Sequence, residues 1–143
     1  MEKEFLIKIA EKCEKERVRL VLDECFVQFL TSGEEASMQL ETGRFRYLFV
    51  LQAFTKIYAV PGIRLGYGIS SDKALLERME TVRQPWSVST PAQAAGLSAL
   101  KEDHREEQTR QLVKSERERM EKELENLRIE YIPSEANFLL FEQ

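Results

Sequence analysis

Residues 51–68 decide the fold, and they read Leu-Gln-Ala-Phe-Thr-Lys-Ile-Tyr-Ala-Val-Pro-Gly-Ile-Arg-Leu-Gly-Tyr-Gly. An apolar run at residues 47–51 leads into this stretch as a predicted strand. Lys56 follows the hydroxyl residue Thr55, and Arg64 lies between two glycines. The glycines permit a tight turn in which the backbone approaches a ligand closely. The pattern predicts an amine and a guanidinium presented beyond the end of a buried strand.

These two basic residues have a chemical and an ordinary interpretation. A buried lysine can lose its proton and attack a carbonyl carbon, and an arginine in a glycine-rich loop suits a phosphate. Spacing alone favours the ordinary interpretation, in which Lys56 is a surface residue and Arg64 is structural, because loose motifs often match by accident.

A second polar group follows the first predicted strand. Residues 2–14 have the apolar spacing of a helix, and residues 17–22 read as a strand, which together indicate an α/β unit with a parallel sheet. Asp23 and Glu24 come directly after that strand. The carboxyl ends of parallel strands border the crevice where α/β proteins bind ligands. The alternative is that Asp23 simply caps the next turn.

Taken together, these residues resemble the fold-type-I pyridoxal-phosphate enzymes, the aminotransferase class I and II superfamily. Its members have Ser/Thr-Lys, a short apolar loop and then Gly-x-Arg-x-Gly-Tyr. The resemblance implies that Lys56 is joined covalently to the cofactor aldehyde and that Asp23 keeps the pyridine nitrogen protonated. It also implies that Arg64 and Thr55 bind the cofactor phosphate. One departure is Ala53, where relatives often have a hydroxyl residue that contacts the phosphate.

Two further features favour one branch of the superfamily. Phe26 stands where many relatives, including histidinol-phosphate aminotransferases, have a tyrosine that donates a hydrogen bond to the cofactor. The segment Pro-Trp-Ser-Val at residues 85–88, followed by an Ala/Gly-rich helix, resembles threonine-phosphate decarboxylases. Trp86 alone would read as a core or loop anchor. The resemblance implies a decarboxylase of cobalamin synthesis, with a histidinol-phosphate-type aminotransferase as the alternative.

The resemblance also implies a domain division. Residues 1–100 correspond to the C-terminal part of a large cofactor-binding domain, a three-layer αβα structure with a mostly parallel sheet. This part includes a predicted helix at residues 71–83. Residues 101–143 correspond to a long linking helix, predicted at 101–128, and the first strand of a small domain. Residues 138–141 read as a buried strand.

Complete enzymes of this type are longer, so we expect a partial chain. Missing from it would be the upstream phosphate-binding loop and the downstream arginine that binds a substrate carboxylate. Such a chain is expected to be inactive alone, to expose apolar surface and to self-associate. The complete enzyme would be a homodimer that acts on an amino acid, which is phosphorylated in some members.

Composition excludes several other classes of function. The formal net charge is −4, and acidic residues are interleaved with basic ones, so no nucleic-acid partner is predicted. Neither a membrane span nor a signal peptide is evident. Cys13 and Cys25 form no CxxC pair, which predicts reduced thiols in a cytoplasmic protein, and the single histidine, His104, predicts no metal site. An alternative of another class is an inactive interaction module whose long charged helix is the contact surface.

Overall fold

The computed structural model describes residues 2–102 and 104–142, so Met1, Asp103 and Gln143 lie outside the described residues, although the predicted domain ranges include them. Five α-helices occur in the described ranges, and three of them match helices predicted from apolar spacing. Their bounds are α1 (Lys3–Glu16), α2 (Phe54–Ile57), α3 (Lys73–Val82), α4 (Thr90–Ala99) and α5 (Arg105–Asn126). None of these helices has both the length and the apolar character that crossing a membrane requires.

Five strands form two sheets in the same part of the chain. Their bounds are β1 (Leu20–Asp23), β2 (Leu48–Ala53), β3 (Gly66–Ile69), β4 (Tyr131–Ile132) and β5 (Leu140–Phe141). The first three strands form one sheet in the order β1-β2-β3, and the last two form a separate hairpin.

The main sheet is mixed, which corrects the prediction of a mostly parallel sheet. β1 pairs with β2 in parallel, but β2 pairs with β3 antiparallel, so that Ala53 lies opposite Gly66. Between β2 and β3 the chain forms only the four-residue helix α2 and a short 3-10 helix, Pro61–Ile63. These elements are too short to return the chain along the sheet, as a parallel crossover requires.

The apolar core lies between α1 and one face of the sheet. Its buried members share this position and come from α1, from the loop after β1 and from β2: Ala10, Met38, Phe45, Leu48 and Val50. On the opposite face Val21 and Leu51 are 54% and 37% exposed. The second helical layer of the predicted αβα structure therefore does not fully cover that face within the described residues.

Glycines allow β3 to lie close against β2. A Cβ atom at Gly66 would stand 2.8 Å from the carbonyl oxygen of Gln52, and one at Gly68 would stand 2.3 Å from Cζ of Phe49. Real Cβ atoms do not tolerate such distances, so a side chain at Gly66 would collide with the β2 backbone, and one at Gly68 would displace the Phe49 ring.

A buried carboxylate ties the strands to α3. Asp72 caps α3 by accepting a hydrogen bond from the Leu75 N–H, and its two oxygens also pair with Arg19 at 2.5 Å and Arg46 at 3.4 Å. The hydrogen bond from Arg19 is the first cause that holds the pKa of Asp72 below its ordinary value. These contacts connect the starts of β1 and β2 to the helix that follows β3.

The C-terminal hairpin contradicts the prediction of a buried strand at residues 138–141. β5 has two residues, and within the described part of the chain it pairs only with the two-residue strand β4. Phe138 and Leu140 are 56% and 63% exposed. A two-stranded hairpin has too few neighbours to bury its side chains. Trp86 is likewise 96% exposed, so it is not a core anchor in this chain.

Candidate active site

The parallel pairing of β1 and β2 brings two predicted site residues to one edge of the sheet. Asp23 is the last residue of β1, and β2 ends at Ala53, directly before α2, which carries Lys56. Because both strands point the same way, their carboxyl ends meet at that edge. The Lys56 side chain lies over the ring of Phe26, with Nζ 5.0 Å from the ring centroid.

Asp23 is held in its ionised form. The backbone N–H of Cys25 donates a hydrogen bond to Asp23 Oδ1 at 3.0 Å. The pKa of Asp23 is lowered first by a hydrogen bond from the Cys25 side chain, then by that backbone bond, and also by the positive charge of Lys56. An ionised carboxylate at this edge suits a protonated ring nitrogen or another cation.

Cys25 lies beside Asp23 at this edge, and the sequence pattern gave it no role there. Burial and the hydrogen bond to Asp23 raise the pKa of its thiol to about 11. The thiol is therefore protonated at neutral pH and is a poor nucleophile.

Lys56 is exposed rather than buried. The described residues contain no ion pair of Lys56. The amine remains accessible to an aldehyde that approaches the sheet edge from solvent.

Arg64 and Thr55 have different surroundings. The 3-10 helix Pro61–Ile63 packs against α2, and Arg64 follows it with a left-handed φ of 55°. The Arg64 guanidinium is exposed, and no ion pair or hydrogen bond holds its side chain in the part of the chain that the structure describes. Thr55 is buried, with 8% of its surface exposed. The structure thus brings Asp23 and Lys56 together, and it describes no contact from this pair to Arg64 or to the Thr55 hydroxyl.

Glu24 supports the site from the interior. Its buried carboxylate accepts hydrogen bonds from Ser37 Oγ at 2.6 Å, from the Met38 N–H at 2.8 Å and from Gln52 Nε2 at 3.1 Å. These bonds join the loop after β1 to β2, directly beside Asp23. The other amide atom of Gln52, Oε1, is buried without a hydrogen-bond partner among the described residues.

A cleft of about 260 Å³ lies between the sheet and α5, with Gln52, Tyr58 and Glu106 among its lining residues. Tyr58 donates a hydrogen bond to Glu106 at 2.6 Å, and Gln28 donates to the same oxygen at 3.3 Å. Burial and this carboxylate raise the pKa of Tyr58. The contact connects the residue that follows α2 to α5 across 48 positions, so no local sequence signal could have revealed it.

The chemistry of Lys56, Asp23 and Arg64 fits the cofactor that the sequence resemblance implies. An accessible amine suits an aldehyde, an ionised carboxylate suits a protonated ring nitrogen, and an exposed guanidinium suits a phosphate. Within the described residues no cluster of histidine, cysteine or acidic side chains could hold a metal ion.

Comparisons with known proteins show which family the chain resembles. The family described as aminotransferase class I and II matches residues 1–143. Threonine-phosphate decarboxylase of Salmonella typhimurium is 34% identical over 140 residues, which cover 97% of this chain and 38% of the relative. Histidinol-phosphate aminotransferase of Bdellovibrio bacteriovorus is 33% identical over 138 residues, which cover 96% and 36%.

Solved structures give the same result. Histidinol-phosphate aminotransferase from Clostridium acetobutylicum has a TM-score of 0.89 and 31% identity over 99% of this chain, which is 42% of that protein. The chain thus spans about two fifths of the length of the relatives it matches. From this match over its full length, the chain belongs to the aminotransferase class I and II family.

Proposed function

We propose that this chain provides the lysine-bearing part of a pyridoxal-phosphate enzyme that acts on amino acids. The observation that carries the proposal is the meeting of the Lys56 amine and the ionised Asp23 carboxylate at one sheet edge, in a chain of this family. Residues 1–100 would form the end of the cofactor-binding domain, and residues 101–143 would begin the small domain of a homodimeric enzyme.

Each site residue has a role that follows from its chemistry. When bound, pyridoxal phosphate supplies a ring that accepts electrons from the substrate Cα. Lys56 would bind its aldehyde and, when released by the substrate amine, would carry a proton as a general base or acid. Asp23 would accept a hydrogen bond from the protonated ring nitrogen, and Arg64 with Thr55 would bind the phosphate.

Within the family we favour a threonine-phosphate decarboxylase of cobalamin synthesis. Phe26 supports this choice, because a phenyl ring cannot donate the hydrogen bond that a tyrosine would make. The relatives do not decide between the branches, since the decarboxylase and the aminotransferase are 34% and 33% identical to the chain. A histidinol-phosphate-type aminotransferase is therefore the second candidate. In a complete polypeptide, release of carbon dioxide from threonine phosphate would support the first, and amino transfer to an oxoacid the second.

The cofactor proposal is tested by trapping the amine. The chain is incubated with pyridoxal phosphate, reduced with borohydride and mapped by mass spectrometry. The proposal predicts selective modification of Lys56 that is lost in Lys56→Ala and unchanged in Lys101→Ala, which removes another exposed lysine. Modification scattered over many surface lysines would contradict it and would favour the interaction-module alternative, in which α5 is the contact surface.

A further inference from the structure

We infer that Phe138 positions the Lys56 amine by fixing the ring of Phe26. The inference deepens the proposed function and rests on it, because it concerns the same amine. It starts from two contacts in series. Lys56 Nζ lies 5.0 Å from the centroid of the Phe26 ring, and that ring meets Phe138 edge to face, with centroids 5.5 Å apart and planes at 85°.

Both contacts have favourable geometry. An ammonium within about 6 Å of a ring centroid is attracted to the negative face of the ring. Aromatic pairs at centroid distances of roughly 4.5–7 Å prefer the perpendicular arrangement that Phe26 and Phe138 adopt. Phe29, which is buried, supports the same ring from within the core at 6.2 Å. Phe26 is therefore held between a buried ring and a ring of the C-terminal segment.

Within the described residues, the charged groups near Lys56 make no ion pair with its amine. The Phe26 ring is therefore the contact that the structure gives to this amine. The Asp23 carboxylate attracts the ammonium, but no oxygen of Asp23 comes within ion-pair distance of it, and the Cys25 thiol on the same turn is neutral at pH 7. No hydrogen bond of the Lys56 amine occurs in the described ranges. The direction in which the amine points therefore depends on where the Phe26 ring lies.

The segment before Phe138 is itself anchored. Arg117, on α5, donates hydrogen bonds from Nη1 to the carbonyl oxygens of Glu135 and Ala136 at 2.9 and 3.1 Å. The Glu135 carboxylate accepts a hydrogen bond from the Thr31 N–H at 2.9 Å. These bonds fix the backbone two and three residues before Phe138. The anchored segment thereby connects α5 and the loop after Phe29 to the candidate site.

The consequence is that the amine is oriented before any ligand binds. A tyrosine at position 26 would act through its hydroxyl group, which a phenylalanine lacks. In this chain the ring would instead act through its face, and Phe138 would be a positioning residue for Lys56 rather than a catalytic one.

The test is an NMR measurement on the chain without cofactor, with lysine labelled at Cε. A methylene group above an aromatic face is shifted upfield by the ring current, and the Lys56 signal is assigned by its absence in Lys56→Ala. We expect the upfield shift to disappear in Phe26→Leu and to be largely lost in Phe138→Leu. It should be retained in Phe138→Tyr, which keeps the ring, and in the control Phe141→Leu, which removes another exposed ring of the hairpin.

Two results would overturn the inference. One is an unchanged Lys56 shift in Phe138→Leu, and the other is an equal loss in Phe141→Leu, which would indicate general loosening of the hairpin. Phe138 is 56% exposed, so its truncation should leave the core folded, as the remaining chemical shifts would show. Because the measurement needs no cofactor, selective borohydride trapping of Lys56 with an unchanged shift would reject the inference and leave the proposed function standing.

Discussion

Truncation of Glu24 should destabilise the chain more than truncation of another acidic residue of the same loop. The carboxylate is 8% exposed and accepts three hydrogen bonds, from Ser37 Oγ, the Met38 N–H and Gln52 Nε2. In Glu24→Ala the last two donors stay buried without an acceptor, at about 1–3 kcal/mol each. Relief of the buried charge offsets part of this cost, so we expect a net loss of about 2–4 kcal/mol.

The assay is urea unfolding followed by circular dichroism at neutral pH, with coincident fluorescence transitions as the test of two-state behaviour. Glu24→Gln keeps the volume and one acceptor oxygen, so it should lose only about 1–2 kcal/mol. Glu35→Ala is the matched control, because Glu35 is exposed and should change stability by less than about 0.5 kcal/mol. Equal stability of Glu24→Ala and Glu35→Ala would refute the claim that this carboxylate supports the site from the interior.

Three further predictions concern the contacts around the site. Gly66→Ala should lower stability by about 1–3 kcal/mol, because its Cβ would meet the Gln52 carbonyl oxygen, whereas Gly43→Ala, with open space around it, should not; thermal unfolding compares them. Asp72→Asn should lower the urea midpoint at pH 7, and the difference from wild type should shrink as the pH falls below about 4. The reason is that the pKa of Asp72 is depressed, so its ion pairs stabilise the chain above the unfolded pKa and are lost as the pH falls through the folded one; equal midpoints at pH 7 would contradict this. Tyr58→Phe should cost about 1–2 kcal/mol through loss of the Glu106 hydrogen bond, and additive effects of Tyr58→Phe and Glu106→Ala in a double-mutant cycle would contradict that coupling.

Local patterns predicted three helices and the strands that precede Asp23 and Lys56, but not the short helix α2 that carries Lys56. Apolar spacing predicted α1, α3 and α5, although the predicted helix at residues 101–128 is longer than Arg105–Asn126. The helix-and-strand order indicated a parallel sheet, and β1 and β2 do pair in parallel, which brings Asp23 and Lys56 to one sheet edge. The resemblance then supplied the roles of these residues, and those roles stay proposals.

Features that depend on distant partners could not be predicted. The direction of β3 depends on how far the chain travels between strands, which a count of apolar residues does not reveal. The contacts of Glu24 with Ser37 and of Phe26 with Phe138 join residues that are distant in sequence and have no shared local pattern. The predicted burial of the last strand was wrong. An apolar sequence makes burial of a strand favourable, but the strand is buried only where neighbouring elements cover it.

The most direct test of the central claim asks whether Asp23 and Lys56 act as one cofactor site. The measurement is the concentration of pyridoxal phosphate that gives half-maximal borohydride trapping on Lys56, in the wild type and in Asp23→Asn, which keeps the shape and an acceptor for the Cys25 N–H. Loss of a charge-assisted hydrogen bond predicts that this concentration rises at least about tenfold in the variant. An unchanged concentration would contradict the claim, because Lys56 would then react as an ordinary surface amine.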